Sequence, residues 1–147
     1  MTVKISFADL THTGQTVQAN VFPLGAAMVA AYALQELGDE IEVDIFRYPD
    51  DFNAYLDDNQ PRIAAFSCYS WNMNLGCHYA RLIKAAWPET VVIFGGVNFP
   101  AEAQDQKAFL AARPDIDFFV RNDGERPFVA LYEALKDVGF DAEKLKA

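Results

Sequence analysis

The sequence predicts an α/β domain in which a five-stranded parallel sheet, ordered 2-1-3-4-5, carries helices on both faces. Three observations predict it. Short β-rich runs alternate with helix-length segments along the whole chain, as β-α-β-α-β-α-β-α-β-α, and this alternation produces a parallel sheet joined by right-handed crossovers. The runs at 63–68 and 91–94 are apolar without alternation, as strands buried on both faces must be. Ile41–Phe46 instead alternates acidic and apolar residues and reads as an edge strand with one solvated face.

The first strand is read at 3–8, where apolar residues alternate before polar, turn-forming ones. Residues 9–20 follow as a polar loop, and loops of about 12 residues without structure of their own tend to be functional. Pro23 near a start and Gly38 just past an end frame a helix rich in Ala, Met and Leu, whose small residues let it lie close to a sheet. After the edge strand, residues 50–58 form a short acidic helix. Its adjacent carboxylates diverge by about 100° around the axis, so they read as a solvated face and not as a metal site.

The strand at 63–68 turns polar in Tyr69, Ser70, Trp71 and Asn72. A helix from Met73 to Trp87 follows, with Leu75, Tyr79, Leu82, Ile83 and Ala86 at helical spacing, and Pro88 stops it. The fourth strand runs into Gly95 and Gly96, placed where it should end. A residue without a Cβ takes positive φ easily and lets another group lie against the backbone, so the pair reads as a floor for a ligand or as a tight turn. A helix at 101–112, a strand at 116–120, the polar turn 121–125 and a last helix carrying Pro127 near its start complete the order. Residues 1–139 form one flavodoxin-like or Rossmann-like domain, and 140–147 are a tail or linker. In such a sheet ligands bind outside the carboxyl ends of the strands, so loops 9–20, 67–72 and 95–100 share one rim.

Composition narrows the function classes. With 147 residues the chain suits a single core, and 52% hydrophobic content with twelve Phe excludes a disordered chain. A net charge of -9 argues against a nucleic-acid surface. Cys68 and Cys77 lie too far apart for a Cys-x-x-Cys pair and read as reduced thiols in the core. The uncharged stretch 21–34 is too short to span a membrane, and without a signal-peptide pattern the expected location is the cytoplasm.

The rim offers no nucleophile and base pair at recognisable spacing. Neither Ser67 nor Ser70 lies in a Gly-x-Ser-x-Gly elbow, the first strand precedes no Gly-x-Gly-x-x-Gly, and no Walker-type loop is present. A receiver domain would need an Asp where the third strand ends in Ser67 and Cys68. Ser67 and Ser70 can cap the next helix or touch a ligand, and the two roles can coexist. Tyr69 and Trp71 can face a ligand or pack beneath that helix.

Ser67-Cys68-Tyr69, then Gly95-Gly96, then the segment from Asp117 through Asn122, Asp123, Gly124 and Glu125 resemble the cobalamin-binding domain that precedes the catalytic barrel in many radical S-adenosylmethionine enzymes. The resemblance implies a third-loop hydroxyl and a fourth-loop glycine pair around the cofactor's dimethylbenzimidazole tail. It offers Thr11, His12, Thr13, Gly14, Ser67, Tyr69, Ser70, Trp71, Asn72, Gly95, Gly96, Val97, Asn98, Gly124 and Glu125 as cofactor contacts. In methionine synthase-type domains the first loop reads Asp-x-His-x-x-Gly and its His ligates cobalt. Here the loop is Asp9-Leu10-Thr11-His12-Thr13-Gly14, with the His one place later. That departure moves the resemblance to the radical-enzyme branch, which commonly lacks the ligand and holds its cofactor base-off. His12 stays a candidate cobalt ligand, since neutral imidazole is a good donor, or else a hydrogen-bonding loop residue.

The chain contains no Cys-x-x-x-Cys-x-x-Cys iron-sulfur motif, so radical chemistry would need a barrel supplied in cis or in trans. The resemblance therefore implies a cobalamin module for methyl transfer or related radical chemistry. The other reading is a cofactor-free docking or substrate-recruiting module with the same fold.

Overall fold

The structure is a computed structural model that describes residues 2–13 and 21–147. Strands β1 (Val3–Ala8), β2 (Ile41–Phe46), β3 (Ile63–Ser67), β4 (Val91–Gly96) and β5 (Phe118–Arg121) form one sheet in the order β2-β1-β3-β4-β5. All four pairings are parallel, and β2 is an edge. The predicted fold class, strand order and edge strand are all present.

Alternation along the central strands divides the core in two. Ile5, Phe7, Ile63, Ala65, Val91 and Ile93 face α1 (Leu24–Leu37) and α5 (Glu125–Asp137). Ala8, Ala64, Phe66, Val92 and Phe94 face α2 (Pro49–Asp58), α3 (Met73–Ala86) and α4 (Ala103–Ala111). Helix α1 buries Ala26, Ala30 and Ala33, whose small side chains bring its axis close to the strands, and Gly38 stops it at φ 54°. Helix α2 begins with Pro49 and carries Asp50 and Asp51 in its first turn, where the helix dipole favours negative charge.

Two sequence expectations are corrected and one is sharpened. Leu82 and Ala86 are exposed on α3, because the stripe that meets the sheet runs through Met73, Gly76, Tyr79, Ala80 and Ile83. Gly95 and Gly96 end β4 as expected, and they do so as its last two residues. Gly95 sits in register with Ser67 on one side and Val120 on the other, and Gly96 with Arg121. Glycine leaves the ladder's N–H and C=O in place, so the strand continues through both positions. Residues past Gly139 include a further short helix, α6 (Ala142–Lys146), where the Asp141 side chain accepts the Lys144 N–H at 3.0 Å. Lys146 of α6 reaches Asp117 at 3.1 Å, which ties this segment to the sheet.

Candidate functional site

The carboxyl ends of β3 and β4 and the amino ends of α1 and α5 enclose a cavity of about 260 Å³. Ser67, Gly95 and Gly96 line its strand side, Gly25, Ala26 and Val29 its α1 side, and Gly124, Glu125 and Phe128 its α5 side. Tyr69 and Val97 stand at the mouth. Of the residues singled out from sequence, Ser67, Tyr69, Gly95, Gly96, Val97, Gly124 and Glu125 therefore converge on one space.

Each glycine of the cavity does a separate job. A Cβ on Gly95 would lie 3.6 Å from the Val120 carbonyl oxygen, in ordinary contact, so the position is small to leave room and not to relieve a clash. Gly96 has φ 123°, and a Cβ there would come within 3.0 Å of the Cys68 carbonyl oxygen, so only glycine makes this turn without strain. The tight-turn reading thus holds at Gly96, while at Gly95 the missing Cβ leaves open space in the cavity. At Gly124, the residue that precedes α5, a Cβ would meet Val29 Cγ2 at 2.8 Å. Its absence lets α1 and α5 approach at the mouth. Asn122 takes φ 58°, a left-handed conformation that Asn tolerates better than most residues, and so turns the chain from β5 into α5.

A second group of residues forms the neighbouring part of the rim. The His12 Nε2–H donates to the Trp71 carbonyl oxygen at 2.9 Å, joining the first loop to the third. Trp71 is half-exposed, stacks on Tyr69 with centroids 5.6 Å apart and planes 8° from parallel, and has the Arg47 guanidinium 5.5 Å from its ring. Arg47 also pairs with Asp9 at 3.0 Å, while burial pushes the Asp9 carboxyl above its ordinary range against the pull of that arginine. Asn72 is buried and fully engaged: its Oδ1 accepts the Tyr69 N–H at 2.8 Å and its amide donates to the Leu10 carbonyl at 3.3 Å. The Thr11 N–H donates to the Arg47 carbonyl at 3.0 Å.

Thr13 and Ser70 are exposed. Gly14 lies outside the described residues, as does 14–20 of the first loop. Asn98 donates its N–H to the Cys68 carbonyl at 3.3 Å, beneath the mouth. Helix α3 has no side-chain cap at its start, so neither Ser67 nor Ser70 caps it; Asn72 occupies the cap position with its side chain turned to Tyr69. Cys68 and Cys77 are free thiols, and burial raises Cys68 to about 11.

Sequence reading missed Gly25, Ala26 and Val29 on α1, and Phe7, Val120 and Phe128 at the cavity's base. The run of small residues in α1 was the available signal, but which turn of the helix faces the glycine pair depends on its docking angle.

The sequence model of the B12 binding domain family matches residues 11–132. The chain belongs to that family. Its cofactor is accordingly cobalamin. Among curated proteins, the chain is 31% identical over 120 residues to the 2-(S-pantetheinyl)-carbapenam-3-carboxylate methyltransferase of Streptantibioticus cattleyicolor, a match covering 78% of this chain and 17% of that protein. It is 30% identical over 69 residues to the cobalamin-dependent radical SAM methyltransferase TokK of Streptomyces tokunonensis, covering 47% of this chain and 10% of TokK. The chain thus spans about a sixth of the first relative and a tenth of the second. The resemblance carried by Ser67, Gly95 and Gly124 is borne out by these matches.

An apolar-based space from which Gly95 withholds a Cβ fits the buried nucleotide end of a cobamide, and the open rim beside Trp71 and Val97 fits a broad ring. Among the described residues no group of three or more His, Cys, Asp or Glu side chains could hold a metal ion, and no helix is long and apolar enough to cross a membrane.

Proposed function

We propose that the chain is a base-off cobalamin module of a radical S-adenosylmethionine methyltransferase, presenting the corrin to a barrel joined in cis or supplied in trans. The observation that carries this reading is the cavity behind Gly95: a base-off cofactor needs a place for its detached nucleotide tail, and this one opens directly onto the rim. When bound, cobalamin supplies a cobalt able to carry a methyl group. Ser67, Tyr69, Gly95, Gly96, Val97, Gly124 and Glu125 would hold the tail. The starts of α1 and α5 lack side-chain caps, and the positive ends of both helices would suit a phosphate at the mouth. Thr11, His12, Trp71, Asn72 and Asn98 would hold the rim in shape, and the exposed Thr13 and Ser70 would be free to meet the cofactor.

We read His12 as a loop anchor, because its Nε2–H is engaged by the Trp71 carbonyl, which leaves Nδ1 as the one ring nitrogen with a lone pair to offer cobalt. The test mixes the purified chain with hydroxocobalamin and follows gel filtration and the visible spectrum. Comigration with a base-off spectrum is expected. A base-on spectrum contradicts the base-off reading, and no retention at high micromolar cofactor favours the cofactor-free docking module. The spectrum of His12→Ala should match that of the parent protein; a shifted spectrum would make His12 the ligand.

A further inference from the structure

The cavity has two chemically different ends. Its base is made by Phe7, Ala65, Ile93, Val120 and Phe128, all buried, with the Phe7 and Phe128 rings 5.0 Å apart and tilted by 49°. The strands behind this base are joined by continuous parallel ladders, which use the backbone N–H and C=O groups on either side of Phe7, Ala65 and Ile93. Among the described residues that line the cavity, hydroxyl, amide and carboxylate groups occur only towards the mouth, on Ser67, Tyr69, Asn122, Asp123 and Glu125.

Resting on the reading of this cavity as the nucleotide-tail site, we propose that it selects among cobamides by the polarity of the lower base. A base whose buried edge is hydrocarbon, such as dimethylbenzimidazole or p-cresol, is accepted; a purine is rejected. An adenine edge carries an amine donor and ring-nitrogen acceptors that exchange water for Phe7, Ala65 and Phe128, none of which offers a hydrogen bond. The penalty falls on the ligand and not on the protein, whose base holds no polar side chain to satisfy. Discrimination is therefore of the size an apolar pocket achieves against a polar isostere, about tenfold to a hundredfold.

Equilibrium dialysis of the full chain against four corrinoids tests this: cobalamin, the adenine-base cobamide, the p-cresol-base cobamide and cobinamide, which has no tail. The p-cresol cobamide, which has no cobalt–nitrogen bond to break on going base-off, should bind at least as tightly as cobalamin, and the adenine cobamide about tenfold or more weaker than either. Ala65→Ser places a hydroxyl at the base, or Ala26→Ser places one on the buried α1 wall if that protein does not fold, and either should narrow the adenine gap by about threefold or more. Equal affinity for cobalamin and the adenine cobamide overturns the selectivity while leaving the cobalamin module intact. Rejection of p-cresol together with adenine overturns it too, since shape and not polarity would then decide. If cobinamide binds as tightly as cobalamin, or if no corrinoid binds, the tail-site reading itself falls and the selectivity with it.

Discussion

Gly95 and Gly96 are neighbours, yet a methyl group would act differently at each. At Gly95 the new carbon meets the Val120 carbonyl oxygen at 3.6 Å and otherwise enters the cavity. Gly95→Ala is expected to fold with a melting temperature close to the parent's and to bind hydroxocobalamin about tenfold or more weaker, read by dialysis and thermal melting together. At Gly96 the backbone sits at φ 123° with the Cys68 carbonyl oxygen 3.0 Å from the new carbon, so Gly96→Ala is expected to cost about 1–3 kcal/mol in urea unfolding. The glycine pair was legible in the sequence as a special place. The division of labour within it was not, because it depends on which side of β4 each residue faces and on the path of Cys68, just past the end of the neighbouring β3.

Cys68 adds a prediction in pH. Burial raises its thiol from 9.0 to about 11, so the folded protein holds that proton more tightly than the unfolded chain does. The corresponding stability is fully present below pH 9 and is lost as the pH rises towards 11, where the unfolded chain has released the proton and the folded one still retains it. Urea midpoints should therefore fall between pH 9 and 11, and Cys68→Ala should flatten the slope in part. The slope will not vanish, because burial also raises the Tyr55 hydroxyl to about 12.

At the scale of elements, the site depends on how α1 meets α5. Nothing in either helix's own sequence announces the contact between Val29 and Gly124, which are 95 positions apart. Hydrophobic periodicity located both helices, and small residues indicated that α1 lies close to the sheet, but the approach of the two amino ends is a consequence of packing. Gly124→Ala would drive a carbon to 2.8 Å from Val29 Cγ2, and a β-branched side chain has little freedom to retreat. The variant is expected to lose about 1–3 kcal/mol and to bind hydroxocobalamin more weakly, as the mouth is forced open. Val29→Ala in the same protein should restore most of both losses. A double-mutant cycle with no coupling would show that the contact does not set the helix spacing. The misplaced stripe on α3 has a similar origin: Leu82 fits the helical period, but the residues beside it that face the sheet are the small Gly76 and Ala80.

Across the whole molecule, the sheet separates a binding end from a structural end. The order 2-1-3-4-5 was readable because strands buried on both faces, an alternating edge strand and the regular helix interludes all pointed to one topology. The structural end was not readable, since it is built from residues far apart in the chain. Asp117, just before β5, is buried; it accepts the Val92 N–H at 2.8 Å and pairs with Lys84 of α3 at 2.6 Å and Lys146 of α6 at 3.1 Å. One carboxylate thus joins the start of β4 to a helix on each side of the sheet. Asp117→Ala would leave the Val92 N–H buried without its acceptor and release both lysines, for an expected loss of about 2–3 kcal/mol in urea unfolding. Lys146→Ala removes a partly exposed partner, and about 1 kcal/mol or less should follow. The two ends share no residue: Val92 lies near the first residue of β4 and Gly95 near its last. At a temperature where both proteins are fully folded, Asp117→Ala should therefore bind hydroxocobalamin within about twofold of the parent. A change of tenfold or more would mean that strain at the foot of β4 reaches the cavity through the strand, and the separation of the two ends would have to be abandoned.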